Sequence, residues 1–204
     1  VKDYSCVLKY FPDLTQEQKE QIEALGRIYP DLNAQVNVIS RKDIQHLYLH
    51  HVLHSLAIHR VFTFIPDQRV LDLGTGGGFP GIPLAIVHPQ THFDLIDGSG
   101  KKIGIVEKVI EALGLTNVQA FAHRSEVHSG KYHTIVCRAV ADTRQILKVT
   151  RHLCMDQTNY LLLKGGDLAE ELSFLTSREY HIWPIRDFFP EPFFETKQVI
   201  EIKR

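Results

Sequence analysis

The strongest constraint on the fold is one short run, Asp72-Leu-Gly74-Thr-Gly76-Gly77-Gly78-Phe79-Pro80-Gly81. It directly follows a short apolar stretch, Arg69 to Leu73, that reads as a strand, and precedes Ile82 to Val87, which reads as a helix. Glycines let the backbone take positive φ and come close to a ligand. Strand, Gly-rich turn and helix in that order are the opening unit of a nucleotide-binding α/β sheet. Two ligand classes fit such a turn. Gly76, Gly78 and Gly81 satisfy the G-x-G-x-x-G spacing that offers a helix N-terminus to a dinucleotide pyrophosphate. Asp72, Gly74, Gly76 and Gly78 instead make the acidic-x-Gly-x-Gly-x-Gly spacing of S-adenosylmethionine (SAM) folds. An acidic residue at the strand end suits the ammonium of SAM and would repel a pyrophosphate, so Asp72 tilts the choice toward SAM. Asp97 ends the next apolar stretch, where a carboxylate accepts both hydroxyls of a ribose.

The rest of the chain continues the alternation. His92 to Ile96, Val118 to Ala122, Thr134 to Cys137 and Tyr160 to Leu163 read as strands. Lys101 to Leu113, closed by Gly114, together with Ala141 to Leu153 and Leu168 to Leu175, read as helices. Ile182 to Phe188 and Lys197 to Ile202 read as a closing antiparallel pair around a Pro190–Pro192 loop. The pattern predicts a Rossmann-like α/β fold, mostly parallel, with an antiparallel C-terminal strand pair. Ahead of it, Thr15 to Ile28 reads as a helix with a Thr15/Gln18 capping box, and Pro30 is expected to end or kink it. Asp43 reads as the N-cap of a second helix running to about Phe62. Residues 1–65 thus form a helical extension and 66–204 the core, within one structural domain.

Composition narrows the function classes. With 44% hydrophobic and 23% charged residues, the chain is neither disordered nor membrane-spanning by its apolar runs. Val1 to Lys9 lacks a signal-peptide pattern. Three unclustered cysteines, Cys6, Cys137 and Cys154, point to a reducing cytoplasmic setting and away from a zinc knuckle. His46, His50 and His54 share a helical stripe, but without H-E-x-x-H or a nearby cysteine they read as a polar or RNA-facing surface, and no metal is expected. A net charge of −1 is not that of a free-standing nucleic-acid grip. Between Lys131 and Lys164, however, six Lys/Arg face two Asp. Lys101, Lys102, Arg124, Arg138 and Lys164 stand at or just after strand ends and are the candidate RNA contacts. Arg144, Lys148 and Arg151 lie on the following helix, where a solvated face is an equal reading.

The residues resemble those of the bacterial 16S rRNA guanine-N7 methyltransferases, also known as the glucose-inhibited division protein B family. The resemblance runs over most of the chain. It is carried by Phe79-Pro80-Gly81-Ile82-Pro83-Leu84, by Asn37 within Val36–Ile39, and by His51-Val-Leu-His54-Ser55-Leu. Gly100-Lys101-Lys102, Arg124-Ser125-Glu126, Arg138-Ala139 and Leu163-Lys164-Gly165 match after successive strands. Phe11 to Ala85 is similar to the version found in the Bacteroidetes. The resemblance implies SAM contacts at Gly74, Phe79, Ser125, Glu126 and Arg138, with Asp97 on the ribose; Asp72 and Gly76 join them from the turn itself. It also implies 16S rRNA of the small ribosomal subunit as partner; no membrane association is expected from the short apolar runs, and a monomer is expected. His54 replaces a frequent Asp, while Gly98 and Cys137 replace frequent Ser. Guanine N7 already carries a free lone pair, so alignment is required and a general base is not. No catalytic residue is therefore expected, and Arg138 and Lys164 are expected to position RNA. The competing readings are a SAM methyltransferase acting on another substrate, an NAD-binding oxidoreductase using Gly76, Gly78 and Gly81, and a non-enzymatic SAM-retaining ribosome assembly factor.

Overall fold

The computed structural model describes residues 3–204; residues 1 and 2, and with them the start of the Val1–Lys9 segment, lie outside it. Helices α1 (Ser5–Tyr10), α2 (Gln16–Asn33) and α3 (His54–Val61) precede the sheet. The alternation then runs β1 (Arg69–Leu73), α4 (Gly81–Val87), β2 (His92–Ile96), α5 (Gly100–Leu113), β3 (Val118–Phe121), β4 (Tyr132–Arg138), α6 (Thr143–Thr150) and β5 (Cys154–Gly165). It closes with α7 (Ala169–Leu172), β6 (Tyr180–Pro184) and β7 (Lys197–Lys203). The sheet order is β3-β2-β1-β4-β5-β7-β6. Strands β1 to β5 are parallel, and β7 lies antiparallel to both β5 and β6. The order reverses between β1 and β4, which makes the crevice at their carboxyl ends the expected ligand site.

The pleat of β1 divides the core. Val70 packs with α2, α3, α4 and α5 on one face, while Leu71 and Leu73 pack with Ile146 of α6 and Leu172 of α7 on the other. Asp72 shares the α4 face with Val70, because side chains alternate along a strand. Val7, Leu25, Leu56 and Phe64 of the N-terminal region belong to the same buried cluster as the α4 face of the sheet.

The Thr15/Gln18 capping box is present, with Gln18 N–H on Thr15 Oγ1 and Thr15 N–H on Gln18 Oε1. Pro30 does not end α2, which continues to Asn33. Asn33 secures that extra turn: its Oδ1 accepts from Val38 and Ile39 N–H, and its Nδ2 donates to Ile39 carbonyl. The loop so held covers the Gly-rich turn, with Val38 against Gly77, and Tyr29 donates to Gly77 carbonyl at 2.6 Å.

The expected helix from Asp43 is broken into a 3-10 turn at Ile44–His46, a π-helical segment at Leu47–Leu53, and α3. Asp43 makes no capping hydrogen bond; its carboxylate takes His50 and His51 instead. Other boundaries also move. Helix α6 stops at Thr150, α7 is a single turn, and β6 gives way to a 3-10 turn at Ile185–Asp187. Strand β5 begins at Cys154, six residues before the apolar run that signals it, because Met155 to Gln157 are exposed and carry no burial pattern.

Candidate active site

The carboxyl ends of β1, β2 and β3 and the loop after β4 enclose a cavity of about 420 Å³. Gly74, Asp97, His123, Ser125, Glu126 and Val140 are among its walls. At Gly74 φ is +64°, and a Cβ would meet Val140 Cγ2 at 2.6 Å, so only glycine lets the loop after β4 close over the turn. Asp97 ends β2. Its Oδ2 accepts from Gly76 N–H at 3.0 Å and its Oδ1 from Ser99 N–H at 2.8 Å. The turn thus holds this carboxylate at the cavity, and each oxygen keeps a lone pair able to accept a further hydrogen bond. Ser125 is buried and donates to Glu126 Oε2, whose side chain is exposed at the rim.

Asp72 does not line this cavity. The pleat turns it to the α4 face, where Oδ2 accepts from Thr75 Oγ1 at 2.6 Å and from Gly81 N–H at 2.8 Å. Burial pushes its carboxyl up to about 7, against the two hydrogen bonds, which lower it. In this structure Asp72 Oδ2 is an internal cap of the turn, and Oδ1 is buried without a partner among the described residues. The same contact weakens the dinucleotide reading. Gly81 N–H, the first amide of α4, is taken by Asp72, and a Cβ at Gly81 would meet that carboxylate at 2.7 Å. The helix N-terminus that a pyrophosphate needs is already capped from inside.

Phe79 is not among the residues lining the cavity; its ring is 2% exposed and lies 5.0 Å from Tyr29, 5.2 Å from His51 and 5.3 Å from the Arg138 guanidinium. Arg138 donates to His50 carbonyl at 3.2 Å and to His51 Nδ1 at 3.0 Å, so in this structure its guanidinium is held by the protein. Burial lowers its pKa to about 10, which leaves it charged at neutral pH. His51 Nδ1 must accept from Arg138, and its Nε2 lies 2.5 Å from Asp43 Oδ2, so the ring is neutral with the proton on Nε2. Burial, and then the charge of Arg138, pull its pKa down to about 4, in keeping with that state. For Asp43 burial works upward, but the bonds from His50 and His51 outweigh it and hold the carboxyl below its usual value. Asp43, His51, Arg138 and Phe79 form one locked corner beneath the loop after β4.

Lys164 is likewise bound within the protein. Its ammonium pairs with Glu171 at 2.8 Å and donates to Ala141 carbonyl, with the side chain 11% exposed. It ties β5 to α7 and holds the loop after β4 rather than facing RNA. Lys101, Lys102 and Arg124 remain as expected candidates: Lys101 and Arg124 are exposed, Lys102 is partly so, and none is in an ion pair among the described residues. Lys101 and Lys102 stand in the first turn of α5, where the helix dipole disfavours cations. Arg144, Lys148 and Arg151 line a separate cavity of about 540 Å³ on the other side of α6, with Arg204 and Phe174. The histidine stripe is rearranged by the π-helical segment. His46 stacks on His50, and His50 on Phe193 at 3.9 Å, while His54 is buried. No cluster of three or more metal-ligating side chains is present among the described residues.

The comparisons now bear on this geometry. The family model described as GidB, rRNA small subunit methyltransferase G, matches residues 18–182. The chain belongs to this family. Ribosomal RNA small subunit methyltransferase G of Christiangramia forsetii is 48% identical over 198 residues, covering 94% of this chain and 93% of that protein. The protein of the same name from Flavobacterium psychrophilum is 49% identical over 205 residues, covering 96% of each. These relatives are from the Bacteroidetes, as the resemblance implies. Among solved structures, a SAM-dependent methyltransferase from Aquifex aeolicus superposes with a TM-score of 0.60 at 13% identity, covering 81% of this chain and 98% of that one. The M. jannaschii TYW2 structure in complex with AdoMet gives 0.56 at 17%, covering 81% and 76%. Those two likenesses show the fold: a Rossmann-like methyltransferase sheet. The protein is a SAM-dependent methyltransferase of the GidB family, and no helix among the described residues is long and apolar enough to cross a membrane.

Proposed function

We propose that the protein transfers a methyl group from SAM to N7 of a specific guanine in 16S rRNA of the small ribosomal subunit. The observation that carries the reading is the cavity at the β1/β4 switch point, in a chain of this family, with the Asp97 carboxylate held at the ribose position by Gly76 and Ser99 N–H. The cavity fits SAM: Gly74 admits close approach, Asp97 offers acceptors, and the glycine-closed loop at Val140 covers the sulfonium end. SAM, when bound, supplies an activated methyl, which leaves its sulfur as N7 donates a lone pair. N7 needs no proton removed, so the residues have only to align N7, carbon and sulfur and keep water out.

In this reading Asp97 binds the nucleoside. Arg138 is a positioning residue that acts through the loop after β4. Lys101, Lys102 and Arg124 meet RNA phosphates, which position a substrate without reading its sequence. The enzyme works in the cytoplasm, as a monomer. Incubating the purified protein with SAM carrying a labelled methyl and with 16S rRNA, followed by nuclease digestion and mass spectrometry, should give 7-methylguanosine at one site. Label on an exocyclic amine, on a ribose, or on no nucleotide would overturn the reading.

A further inference from the structure

A chain of polar groups, buried at Asp94, Tyr132 and His128, runs from the amino end of the sheet to the cavity, and the proposed reaction does not use it. Arg69 donates to Asp94 Oδ2 at 2.9 Å, Tyr132 donates to the same oxygen at 2.5 Å, and His128 Nε2 lies 2.6 Å from Tyr132 Oη. His123 Nε2 then lies 2.7 Å from His128 Nδ1, and His123 is in the cavity wall.

Only one set of proton positions satisfies every link. Asp94, paired with the Arg69 guanidinium, is a carboxylate and can only accept. Tyr132 therefore spends its single proton on Asp94; burial, then the carboxylate itself, raise its pKa, so it keeps that proton. Tyr132 Oη can then only accept from His128 Nε2–H. Burial, followed by the charge of His123, lowers the pKa of His128, so its ring carries one proton and its Nδ1 is an acceptor. His123 Nε2–H must donate to it. In its neutral form His123 is left with a bare lone pair on Nδ1.

Position says what this lone pair is for. The sheet order β3-β2-β1 sets Gly74 at the end of β1, Asp97 at the end of β2 and His123 just past the end of β3, in line along one edge. A nucleoside whose ribose lies on Asp97 and whose sulfonium end lies at Gly74 extends its base toward β3. Adenine offers ring nitrogens that accept and one amino group that donates, so an acceptor matches only the amino group. We propose that His123 accepts a hydrogen bond from the exocyclic amino group of the cofactor's adenine, and that Asp94, Tyr132 and His128 are positioning residues that fix its tautomer. The assignment rests on the SAM reading above.

Two measurements on the intact protein test it. Nitrogen NMR of the histidine side chains, near neutral pH and without ligand, should show both His123 and His128 protonated on Nε2. An Nδ1-protonated form of either would overturn the chain, whatever the cavity binds. Calorimetry should show S-adenosylhomocysteine binding more tightly than S-inosylhomocysteine, in which a carbonyl replaces the amino group. His123→Phe and Tyr132→Phe should each lower S-adenosylhomocysteine affinity about three- to tenfold and leave the inosine analogue within twofold. Folding of both variants is checked by thermal melting, and the NMR result stands if either fails to fold. Equal affinity of the wild type for the two ligands would overturn the adenine assignment alone. No binding of either by the wild type would overturn the cofactor reading as well.

Discussion

Asp72, near the end of β1, and Asp97, just past the end of β2, flank the same turn, yet they are placed in opposite ways. Asp72 is fully buried, turned to the α4 face, and fastens Thr75 and Gly81. Asp97 is partly exposed at the cavity and is itself fastened by Gly76 and Ser99. Arg138 extends the Asp72 side: with Asp43, His51 and Phe79 it locks the corner under the loop after β4. One region of the site has its polar groups tied up inside the protein, and the other presents a carboxylate at the cavity, the side that the proposed function assigns to the ligand. The residue types alone do not separate them; the pleat of β1 and the π-helical segment do.

The sharpest test of this division is a pair of variants with opposite signatures. Arg138→Ala leaves His51 Nδ1 and His50 carbonyl without their charged donor, and should cost about 3 kcal/mol of stability from two lost charge-assisted hydrogen bonds. Its SAM affinity should stay within about threefold of wild type while methyl transfer falls further. Asp97→Ala should do the reverse, lowering SAM affinity about ten- to a hundredfold, or 1.5–3 kcal/mol, with stability within about 1 kcal/mol. Thermal melting and calorimetry on both proteins decide it. Matching signatures would erase the distinction.

A pH series probes the locked side alone. Asp72's carboxyl is raised to about 7 in the folded protein, so its contribution is fully present below the unfolded value near 4 and is lost as pH rises through 7. Asp72→Asn stays neutral throughout. The stability difference, variant minus wild type, should therefore move in the variant's favour between pH 4 and 7, by at most about 1.4 kcal/mol per pH unit. A difference that is constant with pH would show that Asp72 is not buried as described.

The smallest effects concern the cations. Lys101→Ala and Lys102→Ala should each weaken rRNA binding and reduce the salt slope by about 1 in a titration of affinity against salt. Lys164→Ala should leave that slope unchanged and cost about 1 kcal/mol of stability through the lost Glu171 pair. A reduced salt slope in Lys164→Ala would return it to the RNA-facing set.

Much of the fold was legible because it is written in local chemistry. The capping box at Thr15, the αL glycine at Gly114, and the strand–turn–helix at Asp72–Gly81 each need only neighbouring residues. Asp97 was legible for the same reason, as a carboxylate at a strand end. What escaped depended on contacts distant in sequence. Arg138, the last residue of β4, reads as a free cation until His50 and His51 of the π-helical segment are folded against it, 88 and 87 positions away. Lys164 reads as exposed until Glu171 is brought back by α7. The π-helical segment has no periodic signal of its own, since Leu47, Tyr48, Val52 and Leu53 also suit an α-helix. The chain of His123, His128, Tyr132 and Asp94 joins two strands and the segment after β3, and carries no spacing motif.

In the proposed reaction the site aligns a ready nucleophile and removes no proton. The direct measurement is the single-turnover rate of methyl transfer to rRNA, with enzyme and SAM saturating and ionic strength held constant, across about pH 6.5 to 8.5. It is made in the Asp72→Asn protein, so that the buried carboxyl titrating in this window is removed. His51, held near 4, is neutral throughout. The account predicts a nearly flat profile with 7-methylguanosine as product. A tenfold rise per pH unit, abolished by replacing one His, Asp or Glu of the cavity, would contradict it and move the acceptor to an amine or a hydroxyl.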